Sequence, residues 1–191
     1  MTQLPLPIST GRLTIRALQA SDLDQLHDIQ RRAEVARYLY WEPRSRAEVS
    51  SWLRQAAPIP AMEAESQVLV LASVERDSQR LAGTLNLWLR SIEHRQGEIG
   101  FVLHPDLQGR GLAGEGAAEL LRLGFETLRL HRICGRCDGR NQASARVMER
   151  LGMRREAALL ENEWFKGEWS DELIFAIRED EWRASRADPH A

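Results

Sequence analysis

The sequence predicts a mixed α/β fold in one domain spanning residues 1–191, and three observations lead there. The 191 residues are 43% hydrophobic and 28% charged, with a net charge of −2. That is the composition of a soluble globular chain with enough apolar side chains for one substantial core. Strand-period and helix-period segments follow one another in the order β-αα-βββ-α-β-α-ββ, without internal repeat or low-complexity linker. Short turn-forming segments join two of the strand pairs. The seven strands therefore make a mixed, mostly antiparallel sheet flanked by four helices.

The first strand, "GRLTIRAL" (11–18), alternates Leu13, Ile15 and Ala17 with Thr14 and Arg16, the period of a half-buried strand. In "SDLDQLHDIQRR" (21–32), Ser21 is placed to cap a helix whose apolar stripe is Leu23, Leu26 and Ile29. A second helix is "SRAEVSSWLRQAA" (45–57), where Ser45 and Glu48 form a capping box and Val49, Trp52 and Leu53 face inward. Pro58 and Pro60 end it, since proline cannot continue the helical hydrogen bonding.

"SQVLVLASVE" (66–75) is almost continuously apolar, and "RLAGTLNLWLRS" (80–91) alternates Leu81, Leu85, Leu87 and Leu89 with polar neighbours. "ERDSQR" (75–80) joins them as a hairpin. "QGEIGFVL" (96–103) is the next strand. From Gly114 to Leu128 apolar residues fall at 117, 120, 121, 124, 125 and 128, an amphipathic helix. "HRICGRCD" (131–138) is a strand, and "NQASARVMERLGM" (141–153) is a short helix terminated by Gly152. "RREAALLENEWF" (154–165) and "WSDELIFAIR" (169–178) pair through "KGE" (166–168), and the polar "RASRADPHA" (183–191) reads as a frayed tail.

Composition also narrows the function. The near-neutral charge gives no global attraction to nucleic acid or to an anionic membrane surface. No apolar run has the length of a membrane span, and "MTQLPLPISTGRL" lacks the pattern of a secretory signal. The default expectation is the cytoplasm. Two cysteines, Cys134 and Cys137, form a lone C-x-x-C with His131 nearby. A structural zinc site normally needs four ligands, so half-buried free thiols are expected and no metal.

"QGRGLAGEG" (108–116) carries the chemistry. Gly109, Gly111 and Gly114 fit the G-x-G-x-x-G spacing of a dinucleotide turn; Gln108, Gly111 and Ala113 fit the Q-x-x-G-x-A spacing of an acyl-CoA pyrophosphate loop. Either uses backbone N–H groups at a helix N-terminus to bind phosphate, and a glycine-rich helix start without ligand is the third reading. The dinucleotide fingerprint wants the turn directly after a strand, whereas "HPDL" intervenes here and hairpin strands rather than βαβ units precede it.

Longer motifs carry a resemblance. "EIGFVLHPDLQGRGLAGEGAAELLRLGFE" followed by "RICGRCDGRNQASARVMERLGM" resembles the GNAT superfamily of acyl-CoA-dependent N-acetyltransferases. More narrowly it is similar to the RimJ/RimL-like branch, which acetylates ribosomal-protein N-termini and in which the closing W-x-x-G-x-W-x-D (Trp164, Gly167, Trp169, Asp171) recurs. The resemblance implies the GNAT fold, with a V-shaped splay between the fourth and fifth strands, acetyl-CoA as co-substrate and no metal. It further implies that Phe101, Val102 and Leu103 present backbone to pantetheine, and that Gln108, Gly109, Arg110, Gly111, Leu112, Ala113 and Gly114 hold the pyrophosphate. Asn141 and Ser144 then flank the pantetheine, Arg110 being either a phosphate contact or a solvated side chain.

Many relatives place a tyrosine acid seven residues after the asparagine; here that position is Met148. Ser144 or a water then supplies the proton. Glu98 is the candidate base through a water, its alternative being a surface carboxylate. Tyr40 and Trp41, beside Tyr38, with Asn86, Trp88 and Trp164, are expected to line the acceptor pocket. The leading acceptor is a protein N-terminal α-amine, with an aminoglycoside or polyamine as alternative. A non-catalytic acyl-CoA-binding module is the rival of another class. Homodimers are common among such proteins, and the sequence leaves the oligomeric state open.

Overall fold

The structure is a computed structural model that describes residues 4–187. In chain order its strands are β1 (Ile8–Ser9), β2 (Leu13–Ala17), β3 (Val68–Glu75), β4 (Leu81–Ser91), β5 (Gln96–Leu103), β6 (Arg132–Asp138), β7 (Arg154–Phe165) and β8 (Glu168–Arg178). The α-helices are α1 (Leu23–Gln30), α2 (Ala33–Ala36), α3 (Arg46–Ala56), α4 (Leu112–Arg122), α5 (Gln142–Arg150) and α6 (Glu179–Ala187). The strands form a single eight-stranded sheet ordered β1-β2-β3-β4-β5-β6-β8-β7. Neighbours run antiparallel except β5 and β6, which are parallel.

Side chains explain the layering. β3 reads as continuously apolar because it is buried on both faces. Leu69 and Leu71 join the larger core, beneath α4 and α5, with Leu85, Leu87, Leu120, Phe125 and Phe175. Val70, Ala72 and Val74 pack on the opposite face against Leu26 and Ile29 of α1 and Val49 and Leu53 of α3. The Ser45–Glu48 capping box forms as expected, Ser45 Oγ accepting from the Glu48 N–H while Glu48 accepts from the Ser45 N–H at 2.7 Å.

Three expectations are corrected. The sheet has eight strands rather than seven, because Ile8–Ser9 pairs with Thr14 and Ile15, and two residues are too few to show alternation. The described residues hold six α-helices rather than four. The extra two are the single turn α2 and α6, which replaces much of the expected frayed tail. Acidic Glu179, Asp180 and Glu181 suit the N-terminal dipole of α6, and Trp182 anchors it on Phe125 at 5.2 Å between ring centroids. Residues 188–191 of that tail lie outside the described residues. Finally, Ser21 does not cap α1. Buried Asp22 does the local work, accepting from the Gln19 N–H at 2.8 Å and bonding both Arg16 nitrogens.

Candidate active site

The parallel pair opens partway along its length. Gln96 to Ile99 of β5 pair with Arg132 to Gly135 of β6, and there the ladder stops. Beyond that point β5 stays paired to β4 as far as Leu103, while β6 stays paired to β8 as far as Asp138. Each strand is held by its outer neighbour while the inner edges diverge, which is the expected splay. The edges of Gly100–Leu103 and Arg136–Asp138 therefore offer backbone groups that an extended amide-bearing chain can satisfy as a pseudo-strand. Met148 seats the divergence: it is buried, and its sulfur lies 2.7 Å from where a Cβ on Gly135 would sit.

A cleft of about 800 Å³ opens on one side of the splay. Phe101, Val102, Leu103, Gln108, Gly109, Gly111, Leu112, Ala113, Gly114, Asn141 and Ser144 all line it. His104 positions the loop: buried at the end of β5, it accepts the Asp106 N–H on Nδ1 and meets Asp28 of α1 through Nε2 at 2.9 Å. Gly109 and Gly111 then take left-handed φ values of 73° and 77°, which a side chain would strain. Gly111 is the N-cap of α4, so the helix begins at Leu112 and not at Gly114, which lies in its first turn with open space at its Cβ position. Free helix N–H groups, bare glycine backbone and the unpaired strand edges together fit the pyrophosphate and amide arm of CoA. Arg110 does not line this cleft; its guanidinium is ion-paired with buried Glu75.

A second cleft of about 650 Å³ lies across the splay and shares Tyr38, Leu39, Phe101, Val102, Asn141 and Ser144 with the first. Tyr40, Trp41, Asn86 and Trp88 line it. Trp164 does not. It is 63% exposed and stacks edge-on against Trp169 at 5.5 Å, because strand alternation turns its neighbours Glu163 and Phe165 inward instead. Lys166 ties this hairpin to the opposite wall, donating to the carbonyls of Ala36 and Trp41 at 2.9 Å. Tyr40 bridges the same gap, donating to Glu163 at 2.7 Å; burial and that carboxylate raise its phenol above the usual range, so it remains a donor.

The second cleft is acidic: five carboxylates (Glu98, Asp138, Glu163, Asp171, Glu172) face two arginines, Arg90 and Arg136. Glu98 is buried where β5 and β6 are about to part, with Arg90 Nε at 2.9 Å and Arg136 Nε at 3.6 Å. Ser144 lies at the junction of the clefts. Its N–H donates to Asn141 Oδ1 at 3.2 Å, so Asn141 caps α5, and its hydroxyl has no partner among the described residues. Asn86 Oδ1 is a buried acceptor without a donor, on the floor of the cleft. Cys134 and Cys137 are free and half-buried. Burial pushes both thiols up to about 11, Glu98 adding to the effect at Cys134 and Asp138 at Cys137, so both stay protonated near neutral pH.

Several residues here were not legible as site residues. Arg90 and Arg136 carry no local signal as site residues, and only strand pairing brings both to Glu98. Arg12, Arg146 and Arg150 also line the first cleft, and the arginines of a polar helix face carry no sequence signal that separates binding from solvation.

A family profile described as the acetyltransferase (GNAT) domain matches residues 12–154. The chain is 31% identical over 175 residues to the uncharacterized N-acetyltransferase YnaD of Bacillus subtilis, covering 92% of this chain and 98% of that protein. The spermidine N(1)-acetyltransferase of Escherichia coli is 25% identical over 95% of this chain and 94% of its own length. The ribosomal protein uS5-alanine N-acetyltransferase of Escherichia coli is 24% identical over 94% of each chain. Among solved structures, a GNAT-family acetyltransferase from Bacillus anthracis superposes with a TM-score of 0.80 at 28% identity, covering 91% of this chain and 98% of that one.

Proposed function

The chain belongs to the GNAT acetyltransferase family, and on that premise we propose that it moves an acetyl group from acetyl-CoA to a primary amine, foremost the α-amine of a protein N-terminus. The observation that carries this reading is the ladder that stops at Ile99 and Gly135, with a glycine loop on one side and an acidic aromatic cleft on the other. Acetyl-CoA supplies the acetyl group as a thioester. The unpaired edges of β5 and β6 hold its arm, and the backbone of residues 108–114 holds its pyrophosphate.

The amine attacks directly, both substrates being bound together, and must be neutral to do so. An α-amine, with an ordinary pKa near 7.7–8.0, demands less of a base than a lysine near 10.4. Glu98 takes the amine proton through a water, and the Ser144 hydroxyl donates to the departing sulfur. With Met148 in place of a tyrosine, this modest acid suffices because a thiol of pKa about 8.5 leaves readily. The carboxylates attract the ammonium form, and Asn86 lines the cleft beside them.

The same five carboxylates favour a second reading, a small polycation such as spermidine, in the same cleft. Calorimetry with acetyl-CoA, paired with thiol release on a panel of free and N-acetylated peptides, spermidine and an aminoglycoside, tests both. Release with free peptides and none with blocked ones is expected. Release with spermidine alone selects the second reading. Tight binding without release on any amine would make the protein an acyl-CoA-binding module.

A further inference from the structure

We propose that Arg146 and Arg150 form a phosphate-binding pair on the rim of the first cleft, selecting CoA that carries its 3′-phosphate over the dephosphorylated form. This rests on the reading of that cleft as the CoA site. Ala143, Arg146, Val147 and Arg150 of α5 and its C-cap Leu151 all line the cleft, the i, i+3, i+4, i+7, i+8 spacing of one helix face. Arg146 and Arg150 are one turn apart on that face, so their guanidinium groups can reach one ligand group together.

Their lack of partners distinguishes them from Arg12, the other arginine that lines the cleft. Most arginines in the protein have a carboxylate, a carbonyl or a ring against them, whereas these two have no ion pair, hydrogen bond or ring contact among the described residues. The carboxylates that line this cleft are already engaged: Glu115 by Arg12 at 2.7 Å and Glu34 by Arg32 at 3.5 Å. The cleft therefore presents two uncompensated positive charges on its α5 wall.

The opposite wall already has its own anion-binding equipment. Gly109, Gly111 and the start of α4 line it, and an Arg12 nitrogen lies 3.2 Å from the Cβ position of Gly111. CoA carries two separate phosphate groups, a pyrophosphate and a 3′-phosphomonoester. A phosphomonoester is close to a dianion at neutral pH, and paired guanidinium groups suit its oxygens. The loop serves the pyrophosphate; the α5 pair serves the second group.

Calorimetric titration with CoA and with 3′-dephospho-CoA, on the wild type and on the R146Q/R150Q variant, separates the two phosphates. The wild type should bind CoA about tenfold more tightly than 3′-dephospho-CoA, the combined effect of two exposed ion pairs. The variant should lose that preference, binding CoA about tenfold more weakly and 3′-dephospho-CoA unchanged. Both side chains are exposed, so the melting temperature should stay put. Equal weakening of both ligands would overturn the proposal, assigning the arginines to the pyrophosphate or to general charge, as would a wild type without preference. If neither ligand bound the wild type, the CoA reading itself would fall and this proposal with it.

Discussion

The two clefts that meet at the splay are built on opposite principles. One wall of the first is backbone: the free edge of β5, the glycines at 109 and 111, and the N-terminus of α4, drawn from one continuous stretch of chain and faced by side chains of α5. The second is made of side chains from distant segments: Tyr40 and Trp41 from the α2–α3 connection, Asn86 and Trp88 from β4, Glu163 and Phe165 from β7. A backbone site is specific for a ligand's shape and hardly tunable, which suits a cofactor shared by a whole family. A side-chain site changes with every substitution, which suits an acceptor that differs between relatives.

The comparison breaks first at Gly111. Its φ of 77° strains any residue with a side chain, and the Arg12 guanidinium 3.2 Å from its Cβ position crowds a branched one. Gly111→Val should weaken CoA binding by more than 100-fold in calorimetry, while circular dichroism retains the folded signal. Retained affinity would show that the loop does not carry the phosphate.

Glu98→Gln probes the junction. At pH 7 it should lower kcat about 100-fold, the lower end of what a general base contributes, with CoA affinity intact. The deficit should be largest below neutral pH and shrink above about pH 8, where an α-amine loses its proton unaided. A deficit constant from pH 6 to 9 would instead make Glu98 a structural partner of Arg90 and Arg136.

Asn86→Leu gives the smallest effect and sharpens the contrast most. Removing a buried acceptor that lacks a donor should stabilise the fold by about 1 kcal/mol, raising the melting temperature by roughly 2–4 °C. The KM for the amine should rise several-fold and that for acetyl-CoA should not move. An unchanged amine KM would remove Asn86 from acceptor binding.

The same contrast explains what was legible in advance. Gln108 through Gly114, Asn141 and Ser144 are local signals, since consecutive residues with fixed spacing build their own loop and cap. Only Arg110 and the start of α4 came out differently, because Glu75 on a distant strand captures one and the αL turn at Gly111 sets the other. The wall of the second cleft was only partly legible. Tryptophans announce apolar surface without saying which face of a strand they occupy, and Trp164 sits on the outer one.

By itself, the sequence determined the order of seven strands and four helices, the capping box at Ser45, both hairpins and the glycine loop, because each depends on residues within a few positions of one another. Tertiary structure alone decided where the β5–β6 ladder ends, that Arg90 and Arg136 converge on Glu98, and that the β7–β8 hairpin closes against Tyr40 and Trp41. Those outcomes depend on strand register and on contacts between segments far apart in the chain. A strand's hydrophobic period fixes which face it buries, but not which distant segment it meets or where two parallel strands part.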